Sequence, residues 1–159
     1  MAINETWRLT PWADALYACD KDWWQARAPS LDDFRGLRII GNGQFPGCSE
    51  VKIRHDHHNL IWDGDEIGSG GNGAFQTLNL VLRWGVSRII LTGVDCQGEH
   101  WHGAHKDGLR NPRQQTFNKW IAAFNNAAAD LKARGIEVVN CSRQTSLECF
   151  PRARLEDVL

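Results

Sequence analysis

The feature that most constrains this chain is an alternation of elements between residues 72 and 142. The run "NGAFQTLNLVLRWG" places Phe75, Leu78 and Leu82 at helical spacing and closes on Gly85, a residue suited to the left-handed turn that ends a helix. "RIILTG" follows at once, and Arg88 to Thr92 read as a short, continuously apolar strand of the kind buried on both faces. After a polar loop, "NPRQQTFNKWIAAFNNAAADLKARG" offers Asn111 as a cap and Pro112 in the first helical turn. It carries Phe117, Ile121, Phe124, Ala128 and Leu131 on one stripe and stops at Gly135. "IEVVNCS" then reads as another strand. Helix, strand, loop, helix, strand is the order of a parallel sheet with helices packed on it, so the expected class is α/β with a mostly parallel sheet.

The first half is of the same type with shorter elements. "AIN" reads as the end of a strand, "LYACD" as a second strand, "DKDWWQARA" as a helical turn or more, and "GLRIIG" as a third strand. "EVKIRHDHHNLIWDGDEIG" has room for an edge strand before a glycine-rich turn. A chain of 159 residues without repeats or a proline-rich linker is the length of one domain, so 1–159 is taken as a single unit.

Charge removes some functions. With 18 Lys+Arg against 19 Asp+Glu, the chain lacks the basic excess of a general nucleic-acid binder. No stretch of residues is long and apolar enough for a membrane span, and "MAINETWRLTPW" lacks the pattern of a signal peptide, so a cytoplasmic protein is expected. The five cysteines (Cys19, Cys48, Cys96, Cys141, Cys149) never form C-x-x-C, and are read as reduced and mostly buried. Eight tryptophans exceed what a core this size needs, and the surplus suits a cleft or a subunit interface.

Three groups of residues carry chemistry. In "GSGGNGAF" glycines lead directly into a helix, where free backbone amides and the helix dipole can receive a phosphate; the alternative is a plain turn capped by Ser69 or Asn72. "TGVDCQG" follows the strand "RIIL", and ligands of open α/β sheets bind beyond such strand ends, so Asp95 is placed to touch a hydroxyl. Asp20, which ends "LYACD", occupies the equivalent place on its own strand, and either aspartate could instead make a local turn or helix cap. The histidines gather in "HDHH" (His55, His57, His58) and "HWHGAH" (His100, His102, His105). They lack the spacing of a known zinc motif, and a single histidine acting as general base needs fewer coincidences than a metal site.

Taken in order, "GSGGNGAFQTLNLVLRWGVSRIILTGVD", the histidine loop, the long helix and "GIEVVNCSRQTSLECFP" resemble the superfamily of motility-associated (flagellar) glycosyltransferase-like domains. The chain is also similar to archaeal hydroxymethylpterin pyrophosphokinase-like proteins and, more distantly, to bacterial lipooligosaccharide sialyltransferases. "TPWADALYACDKDWW" looks most like the small members carried by phage and prophage genomes. The resemblance implies a Rossmann-like three-layer domain. It also implies that Ser69 and Gly70 contact the nucleotide of a CMP-sugar or related donor, and that Gly93, Val94 and Asp95 line the donor pocket. By the same likeness His102 or His105 is the base that activates the acceptor hydroxyl, while Asn140, Cys141, Ser142 and Ser146 close the pocket.

One departure stands out: relatives begin with a strand and a G-x-G-P-S-like turn, whereas "MAINETW" corresponds to the end of their second strand. "GNGQFPG" lies after a later strand and is read as a turn. Lack of the family's first strand would expose a central sheet edge, which oligomerisation relieves, so a homo-oligomer is expected.

The leading expectation is a protein binding a nucleotide or nucleotide-sugar, with sugar transfer by direct displacement. Ser69, Gly70 and Asn72 would hold the leaving nucleotide, Asp95 would orient a hydroxyl, and Lys106, Arg110 or Arg113 would steady the departing phosphate. The alternatives are a non-catalytic ligand-binding or adaptor protein, and a metal-dependent hydrolase built on the two histidine groups.

Overall fold

A computed structural model of the chain describes residues 1–56, 58–104 and 111–159. The protein is α/β. Its strands are β1 (Ala2–Ile3), β2 (Ala15–Asp20), β3 (Leu37–Asn42), β4 (Ser49–Glu50), β5 (Lys52–Arg54), β6 (Glu66–Gly68), β7 (Arg88–Leu91) and β8 (Glu137–Asn140). Its α-helices are α1 (Lys21–Arg27), α2 (Gly73–Arg83) and α3 (Gln114–Ala133). Every pairing between these strands is parallel.

Hydrogen bonds divide the strands into a sheet of order β1-β2-β3-β4 and two pairs, β5-β6 and β7-β8. The first two pieces nearly join, because β4 and β5 are separated only by Val51, whose amide donates to the Ile40 carbonyl at 2.9 Å. Among the described residues β1 pairs only with β2, and β7 only with β8. The residues of β7 accordingly differ from the expectation of a strand buried on both faces: Leu91 is buried, but Ile89 and Ile90 are half-buried.

Strand periodicity explains how helices cover β2. Leu16 and Ala18 point into one cluster with Trp23 and Trp24 of α1, while Ala15 and Tyr17 point into another with Ile39, Ile67 and Leu80 of α2. Helices α1 and α2 therefore lie against opposite faces of this strand. A third cluster joins Phe75 and Leu78 of α2, Phe124 and Leu131 of α3, Leu91 of β7 and Val138 of β8. Burial of this kind contributes roughly 1.5–3 kcal/mol per large apolar side chain.

Buried polar groups fix the packing. Glu5, in the 3-10 turn after β1, is 3% exposed; its carboxylate accepts from Trp23 Nε1 at 3.2 Å and pairs with Arg27. The Tyr17 hydroxyl donates to Gln76 Oε1 at 2.9 Å, linking β2 to α2. Gly41 makes room for that hydroxyl, since a Cβ there would lie 2.2 Å from it.

The long helix differs from its sequence reading at the start. Residue Arg113, not Asn111, stands at the cap position, and Pro112 lies before the helix. The Thr116 hydroxyl accepts from the Arg113 amide at 3.3 Å, so this local bond closes the entry. The expected stripe holds in its buried members Phe117, Phe124 and Leu131, with Ile121 and Ala128 half-buried. Of the cysteines, all free, only Cys96 is buried; the other four are half-buried, more exposed than expected. No helix among the described residues is long and apolar enough to cross a membrane.

Candidate functional site

The carboxyl ends of the parallel strands carry the candidate residues. Asp20 ends β2, is exposed, and lies level with Asn42 at the end of β3. Asn4 follows β1, is exposed, and holds a left-handed backbone (φ 48°), a conformation that asparagine tolerates better than most residues. Its side-chain amide nitrogen comes within 3.7 Å of where a Cβ on Gly73 would stand, so the end of β1 meets the first residue of α2. The sequence reading passed over Asn4; a lone asparagine after a two-residue strand gives little signal.

The turn from β6 into α2 is built tightly. Gly68 packs against the Asn59 carbonyl, which would lie 1.9 Å from a Cβ. Gly70 takes φ 51° with the Phe75 ring against it, so no side chain fits there. Ser69 is buried, and its hydroxyl accepts from the Gly71 amide at 3.2 Å. Asn72 is the helix cap: its side-chain oxygen accepts from Ala74 N at 2.7 Å and Phe75 N at 3.2 Å. Two first-turn amides are thereby occupied by the protein itself.

Asn79 holds this turn from below. Fully buried, it accepts from Ile61 N at 3.0 Å and Gly68 N at 2.8 Å, and donates to the Ile61 carbonyl at 2.9 Å. Sequence reasoning missed it, although an asparagine between Leu78 and Leu80 in an apolar helix was a signal that could have been read.

The second group is stitched from two loops. Ser142 Oγ accepts from Val94 N at 2.9 Å, Thr145 Oγ1 donates to the Val94 carbonyl at 2.8 Å, and Ser146 N donates to the Asp95 carbonyl at 2.8 Å. Asn140 and Ser142 are buried, and the Asn140 side-chain oxygen accepts from Ser142 N at 3.0 Å. The Ser146 hydroxyl donates to Gln97 Oε1 at 2.7 Å. Gly93 is exposed with φ 67°, and Asp95 is half-buried. The structure thus brings Gly93, Asp95, Asn140, Ser142 and Ser146 together, with Asn140 and Ser142 turned inward as braces.

Burial sets the electrostatics here. It pushes the Asp95 carboxyl above its ordinary value. Burial, then the neighbouring Cys149 and Asp95, push the Cys96 thiol up to about 11. On β2, burial and then the charge of Asp20 push the Cys19 thiol up to about 11. These thiols are held neutral at physiological pH, which suits packing rather than nucleophilic attack.

Of the histidines, His100 and His102 are half-buried and stacked, with ring centroids 5.0 Å apart and planes 7° apart. Trp101 meets His102 edge-on at 5.4 Å. His57, His105, Lys106 and Arg110 lie outside the described residues. Arg113, the remaining candidate cation, is exposed and lines an open depression of about 550 Å³ with Asn111, Pro112 and Thr116. Among the described residues no group of three or more His, Cys, Asp or Glu side chains is placed to hold a metal ion.

No protein-family model, curated protein or solved structure matches the chain.

Proposed function

We propose that the chain is a nucleotide- or nucleotide-sugar-binding α/β domain of the glycosyltransferase-like type, its strands arranged in Rossmann-like layers, and that it transfers a sugar to an acceptor hydroxyl. The observation that carries this reading is position: the Ser69–Asn72 turn and the loop of Gly93 and Asp95 each follow the carboxyl end of a parallel strand, β6 and β7. The turn Ser69–Asn72 opens α2 beside the end of β1, and the braced loop of Gly93 and Asp95 follows β7. Crevices outside such strand ends, where the strand order changes direction, are where α/β folds bind ligands.

In this reading Ser69 and Gly70 meet the donor nucleotide, Asn72 shapes the helix start, and Asp20 and Asp95 orient hydroxyls. His102 or His105 takes the proton of the acceptor hydroxyl as its oxygen bonds to the anomeric carbon. The bond from that carbon to the donor phosphate breaks, and the electron pair leaves with the nucleotide, steadied by a cation such as Arg113.

A second reading, binding without turnover, is favoured by one observation: Asn72 Oδ1 already occupies two amides that would otherwise face a departing phosphate. Thermal-shift measurements against CMP, UDP, GDP, their sugars and pterins test the shared part of both readings. A ligand at a hundredfold its dissociation constant adds about 2.7 kcal/mol. A flat response across the panel overturns the nucleotide reading, and a shift without product release on incubation with an acceptor selects the binding protein.

A further inference from the structure

The Ser69–Asn72 turn has a neighbour that the proposed reaction does not use, Trp120 of α3. Phe124, one helical turn further along α3, meets Phe75 edge-on with ring centroids 5.5 Å apart, and the Phe75 ring is the one packed against Gly70. Trp120 lands on the next residue of the turn: its Nε1 and Cδ1 atoms lie 3.6 and 3.7 Å from where a Cβ on Gly71 would stand. The indole is held in this place, because it packs against the core cluster of α2, α3, β7 and β8 and meets Phe117 edge-on at 5.4 Å. The edge that carries its N–H faces the glycines.

That N–H is open. Trp23, Trp24 and Trp62 each donate their indole N–H to a protein oxygen, of Glu5, Ala18 and Asp130. Trp120 makes no such bond among the described residues, and its half-buried ring leaves the nitrogen in reach of solvent. Gly71 is exposed with φ 67°, and a Cβ there would already touch the indole edge, so the lack of a side chain keeps the group uncovered.

The turn itself is short of donors. The Gly71 amide donates to Ser69 Oγ, and the Ala74 and Phe75 amides donate to Asn72 Oδ1. A phosphate at a helix start ordinarily takes such amides, and here they are engaged. An indole nitrogen donates and does not accept, which suits an acceptor-rich group such as phosphate.

We propose that Trp120 is a ligand-binding residue, its indole N–H donating to a phosphate oxygen of the nucleotide beside Gly71. The inference rests on the nucleotide reading of the Ser69–Asn72 turn and adds the donor that the capped helix start lacks.

Heteronuclear NMR of the full chain tests it, with CMP, UDP and GDP each compared with its own nucleoside. Indole N–H groups give signals apart from the backbone amides, and the signal lost in Trp120→Phe belongs to Trp120. With a nucleotide that binds, this signal should move downfield as the site fills, and the nucleoside should leave it in place. Trp120→Phe keeps an aromatic ring beside Phe117 but removes the N–H. Its dissociation constant for the nucleotide should rise about tenfold or more, the worth of a hydrogen bond to a charged group. Trp84→Phe, at the far end of α2, should leave that affinity unchanged.

If no nucleotide binds the wild type, the nucleotide reading falls and this inference falls with it. If a nucleotide binds without moving the Trp120 signal, or binds Trp120→Phe as tightly as the wild type, the role of Trp120 alone is overturned. Should Trp120→Phe fail to fold, the wild-type signal, assigned through the α3 backbone, decides the matter.

Discussion

Ser142 Oγ accepts the amide hydrogen of Val94 at 2.9 Å, and Val94 and Ser142 are both buried. This bond joins the loop after β7 to the loop after β8, at the strand ends where a ligand is proposed to sit. Substituting Ser142→Ala leaves the Val94 amide buried without its acceptor, which costs about 1–3 kcal/mol. Urea unfolding followed by circular dichroism should show that loss, and a change below 0.5 kcal/mol, on the order of an exposed-site substitution, would contradict the bracing role.

Asn79→Ala removes the acceptor of two amides and the donor to one carbonyl in a site with no solvent access. The loss should exceed that of Ser142→Ala, at about 3 kcal/mol or more. Because Gly68 leads into the Ser69 turn, the variant should also weaken any nucleotide-induced thermal shift. Retention of the full shift would separate the turn's geometry from binding.

Asn72→Ala removes the side-chain cap of α2 and should destabilise the chain by about 1 kcal/mol, while Asn72→Gly should cost only a few tenths. Equal losses for the two substitutions, read from melting curves, would argue against a capping role.

Three thiols link stability to alkaline pH. Cys19, Cys96 and Cys149 are each held up at about 11 against an ordinary value of 9.0, chiefly by burial. Between those values the unfolded chain loses protons that the folded chain keeps. Their contribution is therefore fully present below pH 9 and is lost as the pH rises toward 11. Denaturation midpoints should fall across that window, with a smaller fall in Cys96→Ala. At neutral pH the two-unit rise also predicts about a hundredfold less thiolate, hence slow reaction with a disulfide reagent until the protein is unfolded.

If sugar transfer is found, replacing the true base among His102→Ala and His105→Ala should lower turnover by about 10²–10⁴-fold while leaving the nucleotide-induced thermal shift in place. Full activity in the double variant would remove histidine from the mechanism.

Much of the second half was legible because its signals are local. Helix α2 and strands β7 and β8 fall within a residue or two of their expected bounds, and α3 starts only three residues after its supposed cap. Asn72 was legible as one of two cap candidates, since capping depends on neighbours in sequence. Asn79 was not read, because its partners Ile61 and Gly68 are supplied by other segments. The inward turn of Asn140 and Ser142 was equally hidden: both looked like pocket residues until the loop carrying Val94 was laid across them.

Sequence alone determined the class of this protein. Helical spacing followed by short apolar strands admits little but a parallel α/β arrangement, because each element must bury one stripe or face against the next. Tertiary structure decided what each polar or aromatic residue does. Trp23 and Trp24 fill the core while Trp12 and Trp84 face water, although all four are the same residue type. The difference arises from which segments close over each side chain, and that depends on contacts between residues far apart in the chain, which no local pattern encodes.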